Sequence, residues 1–250
     1  KKSAIQLNVE KELPLSLQDI PRLDETTYKY LGFEMMKGEI ERKKMMTKLE
    51  ERIREKLEEP LTRVGVFEAR NWIHFINQNV MSVVRFYSGP VKFTLGWLDR
   101  IDRMIRQHLA SQGLLMKRGM ATSRLYMMPD DMGMGLKSCV GVYLLELVRI
   151  LLQYKWGTIF RSEWFWRMDE LTKRNGKGVW LREIEKALKR FDASLEWLLE
   201  RIGMREEEIE RIIQNEEMDD TEKNRVLRAQ RMKSIADVLE DVEALINTHF

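Results

Sequence analysis

Cysteine is nearly missing from this chain. Cys139 stands alone, so no internal disulfide can form, and a reducing, intracellular compartment fits that usage. Histidine is almost as scarce. His74, His108 and His249 lie far apart, without ligand spacing and without a cysteine beside them, which excludes a zinc site of any recognisable pattern. No apolar run reaches the roughly 18 residues expected of a membrane span, and no signal-peptide pattern is present, so no membrane role is expected. The chain opens Lys1-Lys2-Ser3, the expected start of an excised or processed piece. Internal repeats and low-complexity tracts are lacking. The glycines of Asn175-Gly176-Lys177-Gly178 break a helix but do not complete a phosphate-loop pattern. Nothing assembles a serine, cysteine or paired-carboxylate active site. Cys139 has no base beside it in sequence and is expected to be a small buried side chain.

With 5 prolines in 250 residues, little stops long helices from forming. The 44% hydrophobic and 33% charged fractions fit a folded, helix-rich protein with a substantial core. The 16 methionines suit irregular helical cores and adaptable grooves. Net charge is only +3, but its distribution is uneven. Leu61 to Leu125 carries ten Lys/Arg against three Asp/Glu, and Glu196 to Glu222 carries eleven Asp/Glu against three Lys/Arg. A basic middle beside an acidic tail points to one face for a polyanion and another that solvates, docks on a partner or covers the basic surface. Ordinary charged helix faces would give the same counts.

Taken in order, Ile5, Leu7 and Val9 alternate over a short strand from Ser3 to Val9. Pro14 and Pro21 bracket an irregular crossing. Tyr28 to Met35 holds aromatics around Gly32 and is expected to be a strand or sharp hairpin. A helix follows from Ile40 to Leu57, with Met45, Leu49, Ile53 and Leu57 on one stripe. Pro60 is expected to end or restart it, and Thr62 to cap the next helix, about Arg63 to Tyr87. Val66, Ala69, Ile73, Ile76, Val80 and Val84 make that helix largely buried, with His74 a core or interface residue. Thr94 caps Leu95 to Gln112, whose polar cover includes Arg100, Arg103, Arg106 and His108. Arg103 and Arg106 are three apart and can reach one phosphate backbone together, and Lys117 and Arg118 follow in a basic loop. Asp99 and Asp102 are expected to form ion pairs within or near their own helix.

By sequence the chain is organised around Leu125 to Leu136, which follows Arg124 and precedes an apolar helix beginning near Ser138. Pro129, Gly133 and Gly135 make it irregular, and Asp130 and Asp131 suit a turn better than a metal. The helix from Ser138 to about Tyr154 is apolar almost all round. An aromatic block from Trp156 to Trp166 is expected to bury one helical block against another. Helices at Trp180–Ile202, Glu206–Asn215 and Thr221–Ile246 form a terminal set, the last capped by Asp220 or Thr221.

These motifs together resemble the C-terminal palm end and thumb of the reverse transcriptase encoded by non-LTR retrotransposons. Lys2-Ser3-Ala4 and the strand after it look like the last palm segment. Tyr28-Lys29-Tyr30-Leu31-Gly32 looks like the primer-grip hairpin. Leu98-Asp99-Arg100, then Arg124-Leu125-Tyr126, Pro129, Gly133 and Gly135-Leu136, look like the thumb and its exit. The likeness covers about residues 1–150 and does not extend through the acidic C-terminal helices. Two features depart from it. The Tyr/Phe-x-Asp-Asp signature that holds the family's metals is missing, and Gln112-Gly113 stands where the thumb usually has a histidine–glycine pair.

The resemblance implies a mainly α fold: a small β-hairpin or partial palm sheet, then a helical thumb and a helical extension. It divides the chain into residues 1–37, 38–137 and 138–250. Tyr28, Lys29, Tyr30, Leu31 and Gly32 would steady a primer end. Arg100, Arg103, Arg106, Lys117, Arg118 and Arg124 would hold phosphates of an RNA or RNA–DNA template–primer duplex. The upstream palm and fingers would be partners, Mg²⁺ would belong to that palm alone, and the setting would be nuclear. A domesticated scaffold that binds proteins through its methionine-rich loops, aromatic block and C-terminal helices is the alternative. A self-contained helical enzyme has no assembled chemical signature.

Overall fold

The computed structural model describes residues 28–30, 33–36, 39–63, 68–113, 122–156, 179–214 and 219–249. Ser3 to Val9, Leu31, Gly32, Lys117, Arg118 and all of the aromatic block except Trp156 lie outside these residues. The fold is mainly α, with a small β element at its N-terminal side. Strands β1 (Tyr28–Tyr30), β2 (Phe33–Met36) and β3 (Glu39–Ile40) form an antiparallel sheet in chain order. Tyr28 pairs with Met35, and Tyr30 with Phe33, so the expected hairpin is present and a third short strand extends it. Three strands with a docked face are more stable than a lone hairpin. Phe33 supplies that docking. Its ring meets Tyr87 edge-on at 5.3 Å and stacks near Phe86 at 6.2 Å.

Helix α1 (Arg42–Arg63) buries Met45, Leu49, Ile53 and Leu57, the predicted stripe. It runs through Pro60 and includes Thr62, so neither ends nor caps a helix there. The helix expected from Arg63 to Tyr87 is present from Ala69 to Ser88 without interruption, beginning later than expected and holding a π turn: α2 (Ala69–Phe75), the π turn (Ile76–Val80) and α3 (Met81–Ser88). Ile73, Ile76, Val80 and Val84 are buried as the period predicts, whereas His74 is exposed.

Thr94 caps α4 (Leu95–Ser111), its hydroxyl accepting from the Trp97 N–H at 3.2 Å. Trp97, Leu98, Ile101, Ile105 and Leu109 bury its apolar face. Then come α5 (Thr122–Tyr126), a 3₁₀ turn (Pro129–Asp131) and α6 (Cys139–Trp156). Leu125 and Tyr126, expected in irregular chain, are helical. Helix α6 is the centre of the core, with Leu144, Leu147, Val148 and Leu152 buried and packing against α3 and α4.

The terminal set differs from its expected divisions. It comprises α7 (Val179–Leu188), a 3₁₀ turn (Lys189–Phe191), α8 (Leu195–Ile213) and α9 (Asp220–Thr248). Its first break falls at Asp192, which is left-handed at φ 54°, and Ser194 then caps α8. No break separates 202 from 206, because Gly203 continues the helix. Asp219, not Asp220 or Thr221, caps α9, accepting from the N–H groups of Thr221 and Glu222. Val238, Val242 and Ile246 of α9 join the core, and Gly141 lets α9 approach α6. A Cβ there would meet Ile246 Cγ2 at 2.9 Å. No helix among the described residues is long and apolar enough to cross a membrane.

Candidate nucleic-acid interface

A five-residue helix such as α5 leaves most of its carbonyls without intrahelical partners. The chain folds back to satisfy them. Met134 N–H donates to Arg124 O, Leu136 N–H to Leu125 O, and Gly135 N–H to Met127 O, all within 2.9–3.0 Å. Gly133 is required at the crossing, since a Cβ would collide with the Met127 carbonyl oxygen. Gly135 adopts φ 73°, with Pro129 packed against it. The π turn locks the far side of this loop. Asn77 Nδ2 donates to Gly135 O at 2.7 Å, and Asn77 Oδ1 accepts from Lys137 N at 2.9 Å. One side-chain amide thus substitutes for a backbone partner. Arg124 is exposed on α5, and its Nε donates to Met132 O of the loop at 3.2 Å.

Helix α4 carries three more of the predicted cations. Arg100 is 60% exposed and lies 3.7 Å from Glu50 of α1. Arg103 is exposed, with no ion-pair partner among the described residues. Arg106 turns inward, donating to Tyr126 Oη at 2.6 Å with its guanidinium 6.0 Å from that ring. Burial, the larger effect, raises the Tyr126 phenol's pKa, so the hydroxyl stays a neutral acceptor for Arg106. His108 is outside the cationic face. Its ring packs 5.3 Å from Trp72, and burial lowers its pKa.

Neither acidic residue of α4 pairs within its own helix. Asp102 is buried, and both its oxygens accept from Cys139 N–H, at 3.0 and 3.2 Å. It therefore caps α6 from another helix, while Ser138 Oγ accepts from Gly141 N–H. Burial pushes Asp102 up to about 6 against the lowering effect of the Cys139 hydrogen bonds and Arg106. The Cys139 thiol is raised too, first by burial and then by the Asp102 charge, which leaves it a poor nucleophile. Asp99 pairs with Arg190 at 2.7 Å across 91 residues of sequence.

Asp99 and Arg190 both line a cleft of about 400 Å³, together with Arg103, Arg106, Tyr126, Phe191 and His249. The sequence had marked Arg103 and Arg106 but not Arg190 or His249. A larger groove, about 1140 Å³, runs between α2, the Gly133 loop and the end of α9. Met128 and Met132 stand exposed on its rim. The strand β1 holds Tyr28, Lys29 and Tyr30 in register with β2, which Phe33 anchors to α3.

Asp130 and Asp131 are exposed in the 3₁₀ turn, and no group of three metal-ligating side chains occurs among the described residues. Comparison of the chain with protein-family models, curated proteins and solved structures gives no match.

Proposed function

We propose that the chain is the palm-end and thumb portion of an RNA-templated DNA polymerase, similar to those of non-LTR retrotransposons. It positions a template–primer duplex through the phosphate backbone and is inactive in isolation. The observation that carries this reading is α4 itself. One face is core, and the opposite face presents Arg100 and Arg103 to solvent, on the same helical body that anchors the hairpin bearing Tyr28 to Tyr30. Phosphate contacts need accessible cations on a rigid support and no base-reading pattern. Holding the duplex in register assists a palm supplied elsewhere by positioning, and the metal-dependent step belongs to that palm.

The test is binding to an RNA–DNA hybrid over a salt series, with duplex DNA and single strands in parallel. Affinity should fall steeply with salt. The R100Q/R103Q variant should weaken binding and reduce the log–log salt slope by roughly 2. No hybrid binding at low salt, or a slope unchanged in the variant, refutes the proposal. The exposed Met128 and Met132 beside the large groove favour the second reading, a protein-binding scaffold. A stable protein complex blocked by M128S/M132S, with no nucleic-acid affinity, would select it.

A further inference from the structure

We infer that the cleft between α4 and the α7–α8 corner is a phosphate subsite for the bound duplex, with Arg190 of the C-terminal extension joining Arg103 and Arg106, and Asp99 acting as the competing anion that holds Arg190 when the subsite is empty. This rests on the reading of α4 as a duplex-binding surface and assigns the extension a part in it.

Three guanidinium groups from two distant parts of the chain line one cleft of about 400 Å³. Their present partners are unequal. Arg106 is committed to Tyr126, which fixes it at the floor. Arg103 is exposed and has no ion-pair partner among the described residues. Arg190 is 53% exposed, and Asp99, its partner at 2.7 Å, is 41% exposed. Such an exposed pair contributes little and is readily exchanged for a phosphate, to which guanidinium binds in a bidentate fork. The other wall carboxylate, Asp102, cannot compete in the same way, because both its oxygens face the Cys139 N–H. Phe191 and His249 form the remaining wall. Their rings meet edge-on at 5.3 Å, and His249 Nδ1 lies 3.7 Å from Asp192. The 3₁₀ turn that carries Arg190 is fixed by Phe191, which is buried in the core. Arg190 is thus a flexible side chain on a fixed base.

The experiment measures hybrid affinity for the full chain, R190Q, D99N and the double variant at low salt, with urea unfolding alongside. R190Q should weaken binding roughly fivefold and lower the salt slope by about 1. D99N should tighten binding about two- to fivefold, chiefly by releasing Arg190. The double variant should lose most of that gain. Both single variants break the same ion pair, so they should change stability alike while moving affinity in opposite directions. Equal effects of both on affinity, or a D99N gain that persists without Arg190, overturns the inference. Binding by the unaltered chain that is indifferent to R190Q overturns the subsite and leaves the α4 surface standing. Absence of hybrid binding by the unaltered chain overturns both.

Discussion

Replacing Asp102 with asparagine isolates the energetic consequence of burying a carboxylate beneath the start of α6. The Asp102 carboxyl titrates near 6 in the folded chain against about 3.8 when solvated, principally because burial penalises the ionised form. A folded pKa above the unfolded one means that the folded state binds the proton more tightly. Stability contributed by this group is therefore fully present below about 3.8 and is lost as pH rises through about 6. A shift of this size corresponds to about 3 kcal/mol between the two limits. D102N keeps an oxygen to accept from Cys139 N–H and removes the titration. Its amide group adds a buried donor, which costs the same at every pH in the window. The stability of D102N minus that of the unaltered chain should therefore rise by about 2.4 kcal/mol between pH 4 and pH 7, then level off. The assay is urea unfolding of both proteins at half-unit pH steps, in which the remaining carboxylates cancel. A difference that stays flat across the interval would show that Asp102 is hydrated, and that its role as a buried cap is misassigned.

Other perturbations test the loop and its supports. G133A should destabilise the chain by about 2–3 kcal/mol, because the added methyl meets the Met127 carbonyl; an unfolding midpoint equal to that of the parent would contradict this crossing. N77A removes two hydrogen bonds to the loop backbone and should cost about 2 kcal/mol. N77D retains only the acceptor and turns a charge toward the Gly135 carbonyl, so it should be at least as damaging at neutral pH; denaturant unfolding that ranks N77D above N77A in stability would reject the clamp. Ile53→Ala should cost about 2–5 kcal/mol, since this stripe residue is fully buried between α1 and the rest of the core. A small shift in a thermal melt would mean that α1 is not packed as described.

Local features carry most of what could be foreseen. The hairpin at Tyr28 to Met35 follows from aromatic residues around Gly32, although its third strand is too short to leave a pattern. The Met45, Leu49, Ile53 and Leu57 ladder and the Thr94 cap are each contained within a few helical turns, and both are present. Gly133 and Gly135 mark the crossing because a backbone approach and a left-handed φ leave direct traces in residue type. Helix ends were less legible. Pro60 lies inside α1 and Gly203 inside α8, since packing of the surrounding helix outweighs the local preference of one residue.

The sequence by itself determined the class of fold, the helix faces that enter the core and the cations of α4, because helical periodicity and side-chain chemistry act over one or two turns. Only the tertiary structure decided what each of those cations meets. It turned Arg106 onto Tyr126, paired Arg100 with Glu50, and brought Arg190 to Asp99 from across the chain. It also made Asp102 a cap for α6 rather than a partner for a neighbouring arginine, and placed His74 outside the core. Each outcome depends on how rigid helices pack at long sequence separation, and no local pattern of residues encodes that geometry.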